Sequence, residues 1–294
     1  MVGEQGGRGR GPARLNAAEL TAAQLNTAQL NTAQLTTGIT AAYNASAGDW
    51  AGGPVRLYGP LATALVEAAA AVVPLAGSVV LDLGAGTGVA GRAALAAGAR
   101  RVICADLAVG MLRHCGPALH PVAADAAALP LRDGAVDLVL AAFSLSHLPS
   151  IAAGLAEIRR VGRTVAASSF APQWTHPAKT AADEALRAFG YVPPAWYASL
   201  KDEGEPQAAD AALLADLTAA AGFRDAEFRT LTVPAGLSTP AELASWRLGM
   251  AHVAPFVRAL DSGRQAELRR AAERSVAAAG GGPLTVEISV LIAG

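Results

Sequence analysis

Residues 79–88, Val79-Val80-Leu81-Asp82-Leu83-Gly84-Ala85-Gly86-Thr87-Gly88, constrain this chain more than any other stretch. The first half is apolar apart from one acid, as in a parallel strand buried on both faces. The second half places a glycine at every other position, which predicts a tight turn in close contact with something else. The residues that follow, from Val89 to Ala97, are alanine-rich and favour a helix. Strand, glycine turn and helix together form the mouth of a nucleotide-type pocket, with helix amides expected to face the ligand.

The glycine spacing narrows the ligand. Dinucleotide sites use G-x-G-x-x-G, and the place of that third glycine is taken here by Val89. Asp82 stands two residues before the first glycine, where it would repel a pyrophosphate and suit a cationic or amino-bearing ligand. The octet Leu81-Asp82-Leu83-Gly84-Ala85-Gly86-Thr87-Gly88 resembles the first motif of the class I S-adenosylmethionine-dependent methyltransferases. The resemblance implies that this turn carries the methionyl part of S-adenosyl-L-methionine, which leaves as S-adenosyl-L-homocysteine.

The chain downstream keeps the rhythm of that family over roughly residues 40–170. Arg101 to Asp106 reads as a second strand ending in an acid. An acid there can bind both ribose hydroxyls, though Asp is also a favoured helix cap. Leu107 and Met111 follow, with Met111 placed near an adenine. His120 to Ala126 is a third strand and its exit; the resemblance gives Asp125 the adenine amino group and Ala126 a backbone contact to the ring. Ala135 to Ala142 is a buried fourth strand, and Phe143 to Leu148, with His147, leaves the edge where open α/β sheets bind ligands. Ala142, Phe143 and His147 complete the expected cofactor wall. Ile151 to Val161 is a helix and Thr164 to Phe170 a fifth strand, joined only by Gly162-Arg163, where the family commonly has a longer Pro-Gly-Gly-type turn. The spacing resembles the small-molecule branch, including quinone-biosynthesis enzymes. Tyr43, Trp50 and Tyr58 precede the first strand. In the family such a segment folds over the cofactor and often offers a tyrosine; equally, these rings can simply pack the N-terminal helix. Pro60 to Val73 reads as a helix with its proline near the start.

Composition removes other classes. The chain has 294 residues, 52% of them hydrophobic and 16% charged, with net charge -1. A large core is feasible, and no basic field draws the protein to nucleic acid. The apolar stretch from Leu61 to Leu81 is broken by Glu67 and Pro74, so no membrane span is expected. Two cysteines, Cys104 and Cys115, fit a reducing, cytoplasmic compartment. Met1 to Arg14 is Gly/Arg-rich, lacks a signal-peptide core and reads as disordered. Four five-residue repeats then run from Ala18 to Thr37. A period of five turns through about 140° beyond a full circle on a helix, so the leucines make no single face. Residues 1–38 are therefore read as a flexible or partly helical extension, and 39–294 as the methyltransferase domain.

The expected fold is α/β: a Rossmann-like, doubly wound, mostly parallel seven-stranded sheet with an antiparallel last strand and a helical cap. Segments 171–200 and 239–258 are read as the cap, with Trp174, Tyr197, Trp246 and His252 as substrate-binding candidates. Asp183 and Glu184 read as a solvated helix face. A sulfonium methyl is already electrophilic, so the protein must mainly align the nucleophile and exclude water. An acceptor of high pKa needs a base. His147 and His252 are the candidates and His176 a further choice, each weighed against an ordinary packed or surface role. No metal-ligand spacing is present. The expected activity is methyl transfer to a small, partly apolar molecule of secondary metabolism, by a monomer or homodimer. The alternatives are a non-methylating cyclisation or rearrangement and, disfavoured by charge, a nucleic-acid methyltransferase.

Overall fold

A computed structural model describes residues 17–280 and 282–294, with side chains from residue 33 onward. The Gly/Arg-rich residues 1–14 lie outside the described residues. Helix α1 (Ala17–Gly52) carries the backbone of the five-residue repeats in helical form and continues without a break. Next come α2 (Val55–Ala70), β1 (Val79–Leu83), α3 (Val89–Ala96), β2 (Arg101–Asp106), α4 (Val109–Leu112), β3 (His120–Ala123) and β4 (Val136–Ala142). A 3-10 turn, Leu145–His147, leads to α5 (Ile151–Val161) and β5 (Gly162–Phe170). The cap region holds α6 (Pro177–Ala188), α7 (Ala195–Ser199), a π-helical turn (Leu200–Gly204) and α8 (Glu205–Ala209). The chain ends with α9 (Ala211–Ala221), β6 (Ala226–Pro234), α10 (Pro240–Leu248), α11 (Ala254–Ala259), α12 (Ser262–Ala278) and β7 (Thr285–Ala293).

The seven strands form one sheet in the order β3-β2-β1-β4-β5-β7-β6. β7 is antiparallel to both its neighbours, β5 and β6. The remaining neighbouring pairs are parallel. The chain moves outward one way from β1 to β3 and the other way from β4, so the order reverses between β1 and β4. That reversal opens a crevice at the strands' carboxyl ends.

Strand alternation divides the core. Val80, Leu138 and Leu140 face α2 and α3, where Leu57, Leu61 and Leu65 are fully buried. Leu81, Leu83, Val139 and Ala141 face the other way, onto Leu155 and Ile158 of α5 and Leu214 of α9. Each such leucine contributes about 1.5–3 kcal/mol relative to exposure. Helix α2 starts earlier than the proline predicts. Pro54 stands at its N-cap, and Pro60 lies inside it. β5 follows α5 directly at Gly162, where a Cβ would come within 2.7 Å of Val139. That close packing leaves no room for the longer turn.

The two cap segments meet. Ala185 and Leu186 of α6, Ala244 and Leu248 of α10, and Leu268 and Ala272 of α12 form one buried cluster. Thus α12, outside the two segments expected from the sequence, is the third wall of the cap. Helix α10 opens with Thr239 and Glu242 in a reciprocal capping box, as the Thr-Pro-Ala-Glu sequence predicts.

Candidate active site

The glycine turn closes β1 over the crevice. Gly84 has φ +65°, and a Cβ there would sit 2.4 Å from the Ser144 side chain, so the backbone touches the exit of β4. Gly88 has φ +79° at the start of α3, and its absent Cβ makes room for Leu119. The amides of Gly84, Ala85, Gly86 and Gly88 are bonded within the protein. Gly84 and Ala85 donate to Ala105 O, Gly88 donates to Ala85 O, and Gly86 donates to Asp106 Oδ2 at 2.7 Å. The turn is rigid because it is bonded to β2.

Two expected cofactor contacts are structural instead. Asp82 is 1% exposed, absent from the crevice wall, and accepts from Gly91 N at 2.7 Å. Its strand position faces α3, so it anchors the helix to the sheet. Burial, followed by smaller effects from its neighbours, pushes its pKa up to about 7. Gly88 likewise stands behind the wall, against Leu119 and Cys115.

The other expected cofactor residues converge. Gly84, Ala85, Gly86, Thr87, Asp106 and Leu107 line a cavity of about 170 Å³ at the carboxyl edge of the sheet. Met111, Asp125, Ala126, Ala142, Phe143 and His147 line it too, and Tyr43 and Tyr58 close it from the N-terminal helices. Asp106 braces the floor by accepting from both Gly86 N and Ala108 N, though the N-cap of α4 is Ala108 and not this acid. A carboxylate has about four acceptor sites, which leaves capacity for ribose hydroxyls. Burial raises the Asp106 pKa. Asp125 accepts from Ala127 N and is exposed at its edge. Thr87 Oγ1 and Ser144 Oγ are buried in this wall without a hydrogen-bond partner among the described residues. Orphaned hydroxyls beside a glycine turn, with acids at the ends of β2 and β3, fit a ligand with amino-acid, ribose and adenine parts.

A second cavity, of about 420 Å³, adjoins the first. The two share Tyr43, Tyr58, Phe143 and His147. Phe143 has φ +58°, a left-handed conformation unusual for a bulky residue. Its amide donates to Ser168 O, which holds the ring between the cavities. Tyr43 Oη and His147 Nε2 are joined by a 3.0 Å hydrogen bond, and Ser146 Oγ lies 3.2 Å from the other ring nitrogen. Burial lowers the His147 pKa to about 4 and raises that of the Tyr43 phenol, so both are neutral near pH 7.

The second cavity gathers all four substrate-binding candidates, Trp174, Tyr197, Trp246 and His252. Trp174 stacks on Phe170 at 5.2 Å, and Tyr197 on His252 at 3.6 Å. His252 is buried, and its pKa is pushed down to about 2, first by burial and then by Arg247, Lys179 and Lys201. Two readings are corrected. His176 caps α6, accepting from Ala178 N, and does not line either cavity. Asp183 is not solvated: it takes Arg247 Nη2 at 2.6 Å and Lys179 Nζ at 3.1 Å, while Glu184 is exposed.

Arg247, Lys179, Lys201 and Glu205 were not expected in this cavity, nor Ser144 in the first. A signal for Arg247 existed: a lone cation in the apolar run from Leu243 to Leu248. Ser144 had none, because its role comes from the approach of Gly84. Among the described residues no cluster of three or more metal-ligating side chains occurs. No helix there is long and apolar enough to cross a membrane.

Residues 81–165 match the methyltransferase domain family. A demethylmenaquinone methyltransferase of Beutenbergia cavernae is 40% identical over 105 residues, covering 33% of this chain and 43% of the relative. One of Clavibacter sepedonicus is 42% identical over 97 residues, 31% of this chain and 39% of the relative. The chain thus spans less than half the length of these curated relatives. Among solved structures, a protein described as a methyltransferase from an antibiotic biosynthesis pathway of Anabaena variabilis matches with a TM-score of 0.57. It is 18% identical, with 79% of this chain and 96% of that chain covered, a likeness of fold.

Proposed function

We propose that this chain, a class I S-adenosylmethionine-dependent methyltransferase similar to the quinone-biosynthesis type, methylates a small, partly apolar molecule held in the second cavity. The observation that carries the reading is the common wall. Tyr43, Tyr58, Phe143 and His147 border both the cavity suited to the cofactor and the aromatic cavity beside it. S-adenosyl-L-methionine supplies an electrophilic methyl on a sulfonium when bound. The chain's own residues supply placement: Asp106 and Asp125 take the ribose and adenine ends, and Thr87 and Ser144 the polar groups nearest the glycine turn. The rings of Tyr58 and Phe143, packed edge-to-face with centroids 5.2 Å apart, offer π-electron density to a cation beside them and keep water out.

His147 is neutral, and its two ring nitrogens are engaged by Tyr43 and Ser146, which fixes the ring in the shared wall. A base of such low pKa is weak, so we assign His147 mainly to positioning and leave deprotonation to acceptors that ionise readily. Nucleic acid is a poor fit, since net charge is -1 and the cavity is enclosed by aromatic rings. Cys104 and Cys115 are free thiols, in keeping with the cytoplasmic setting proposed here for a secondary-metabolic enzyme.

Titrating the protein with S-adenosyl-L-homocysteine and then supplying methyl-labelled cofactor with a panel of phenols, aromatic acids and amines tests the proposal. Product binding together with label transfer to a panel member is the expected result. Cofactor binding without transfer to any member counts against it. Turnover of a substrate with the demethylated product bound and no methyl consumed supports the non-methylating alternative instead.

A further inference from the structure

The second cavity is aromatic on its walls and cationic toward the cap. Arg247 is 3% exposed although it carries a permanent charge. Taking such a charge out of water costs several kcal/mol unless it is well paired. Its carboxylate partner is Asp183, whose Oδ1 takes both Nε and Nη2, and the Tyr197 hydroxyl also bonds Arg247. The other oxygen of Asp183 takes Lys179. One carboxylate therefore serves two cations. Lys201 and Glu205, also in the wall, pair with each other. Three cations face two carboxylates, and His252 beside them is neutral. Asp183 is the one carboxylate shared by Arg247 and Lys179, so this end of the cavity carries a net positive charge.

Two further features point to an acceptor-rich ligand. Trp246 Nε1 and Ser169 Oγ belong to residues of this wall, and both are buried with no hydrogen-bond partner among the described residues. The parallel pairs Phe170–Trp174 and Tyr197–His252, tilted by 14° and 7°, suit a flat molecule. Arg247 borders this cavity and not the cofactor cavity.

We infer that the substrate is a planar aromatic carboxylic acid, bound with its carboxylate on Arg247 and Lys179 and its methyl-accepting atom toward the wall shared with the cofactor cavity. The inference rests on the reading of the second cavity as the acceptor site. It assigns the methyl to a ring substituent and not to the acid, because the acid is held on the cap side. Glu205 keeps the carboxylate away from the Lys201 end by repulsion.

The test uses the full chain saturated with S-adenosyl-L-homocysteine and titrates 4-hydroxybenzoate, 4-hydroxycinnamate and 2-naphthoate against their methyl esters. Trp174, Trp196 and Trp246 line the cavity, so intrinsic fluorescence reports binding. At least one acid is expected to bind about tenfold or more tightly than its ester. The double variant Arg247→Met/Asp183→Asn removes the cation without stranding a buried carboxylate. It should bring the acid down to the ester's affinity while leaving S-adenosyl-L-homocysteine affinity unchanged. Lys179→Met, at a partly exposed site that tolerates change, should lower acid affinity severalfold and ester affinity little. Esters binding as well as acids, no acid binding into the millimolar range, or a Lys179→Met protein with undiminished acid preference each overturn the inference. Acid preference without methyl transfer would sink the proposed reaction and leave this assignment standing. Failure of S-adenosyl-L-homocysteine to bind the wild type would instead sink the cofactor reading.

Discussion

The cavity at the glycine turn, proposed for the cofactor, and the aromatic cavity beside it, proposed for the acceptor, are built on different plans. In the first, the residues sit where strands end: Leu83, Asp106 and Ala142 close β1, β2 and β4, and their neighbours follow within a few positions. Main-chain bonds such as Gly86 N to Asp106 Oδ2 fix the geometry. In the second, side chains from β5, α6, α7, α8 and α10 meet across long loops, and ion pairs such as Arg247–Asp183 fix it. A site set by backbone register tolerates little change in shape and much in surrounding sequence. A site set by side chains can be re-specified residue by residue, which suits one cofactor serving many acceptors.

The largest expected effect strikes the first plan. Gly84→Val forces a β-branched residue to φ +65° and drives its Cβ into Ser144. A loss of more than about 3 kcal/mol of stability is expected, with cofactor binding abolished. Thermal melts and product-inhibitor calorimetry measure both. A Gly84→Val protein that keeps wild-type stability would mean the turn is not the rigid element described here.

Asp106→Ala removes acceptors from Gly86 N and Ala108 N as well as the presumed ribose contacts. Cofactor affinity should fall about 10–100-fold and stability by about 2 kcal/mol, with aromatic ligand binding in the second cavity nearly unchanged. Equal losses at the two cavities would erase the distinction between them.

The sequence made the first plan legible and the second only in outline. Apolar runs mark the strand ends, so Asp106 and Phe143 could be set at the ends of β2 and β4, and the family resemblance implied the place of Asp125. Asp82 was misassigned because a strand residue's face depends on which helix covers it. Both α3 and the cavity lie near the end of β1, and alternation sends this side chain to α3. In the cap, the aromatic residues stood out by rarity, and Trp174, Tyr197, Trp246 and His252 do gather. Arg247 was visible as a lone cation in an apolar run, but its pairing with Asp183, 64 residues away, is decided by how α6 packs on α10. The same distance explains why α12 was not seen as part of the cap.

A smaller effect separates Asp82 from the ligand-facing acids. Its pKa is raised from 3.8 to about 7, so the folded state prefers the protonated form. The stabilisation is complete below 3.8 and is lost as pH rises through about 7. Asparagine keeps an acceptor for Gly91 N and cannot ionise. Asp82→Asn should therefore gain on the wild type as pH rises, by about 1 kcal/mol at pH 7 relative to pH 6, in parallel denaturation series. A constant difference across that range would show that Asp82 is not held by burial.

The smallest effect concerns His147, on the wall that both cavities share. Its pKa is lowered from 6.5 to about 4, first by desolvation, so protonation is disfavoured in the folded state. The sign is opposite to that of Asp82: the folded form is neutral above about 4, and stability from this group falls as pH drops from 6.5 toward 4. With a readily ionised acceptor, kcat/KM should show no His147 inflection between about pH 6 and pH 8. His147→Gln can still bond Tyr43, so kcat/KM should fall by about tenfold or less, well short of the 10²–10⁴ expected on losing a general base. A profile bending near 6.5 in the wild type and flat in the glutamine variant, with a loss beyond about a hundredfold, would make His147 the base and not the positioner. The larger loss would locate the chemistry on the shared wall, where the Tyr43–His147 bond joins the N-terminal helix to the exit of β4.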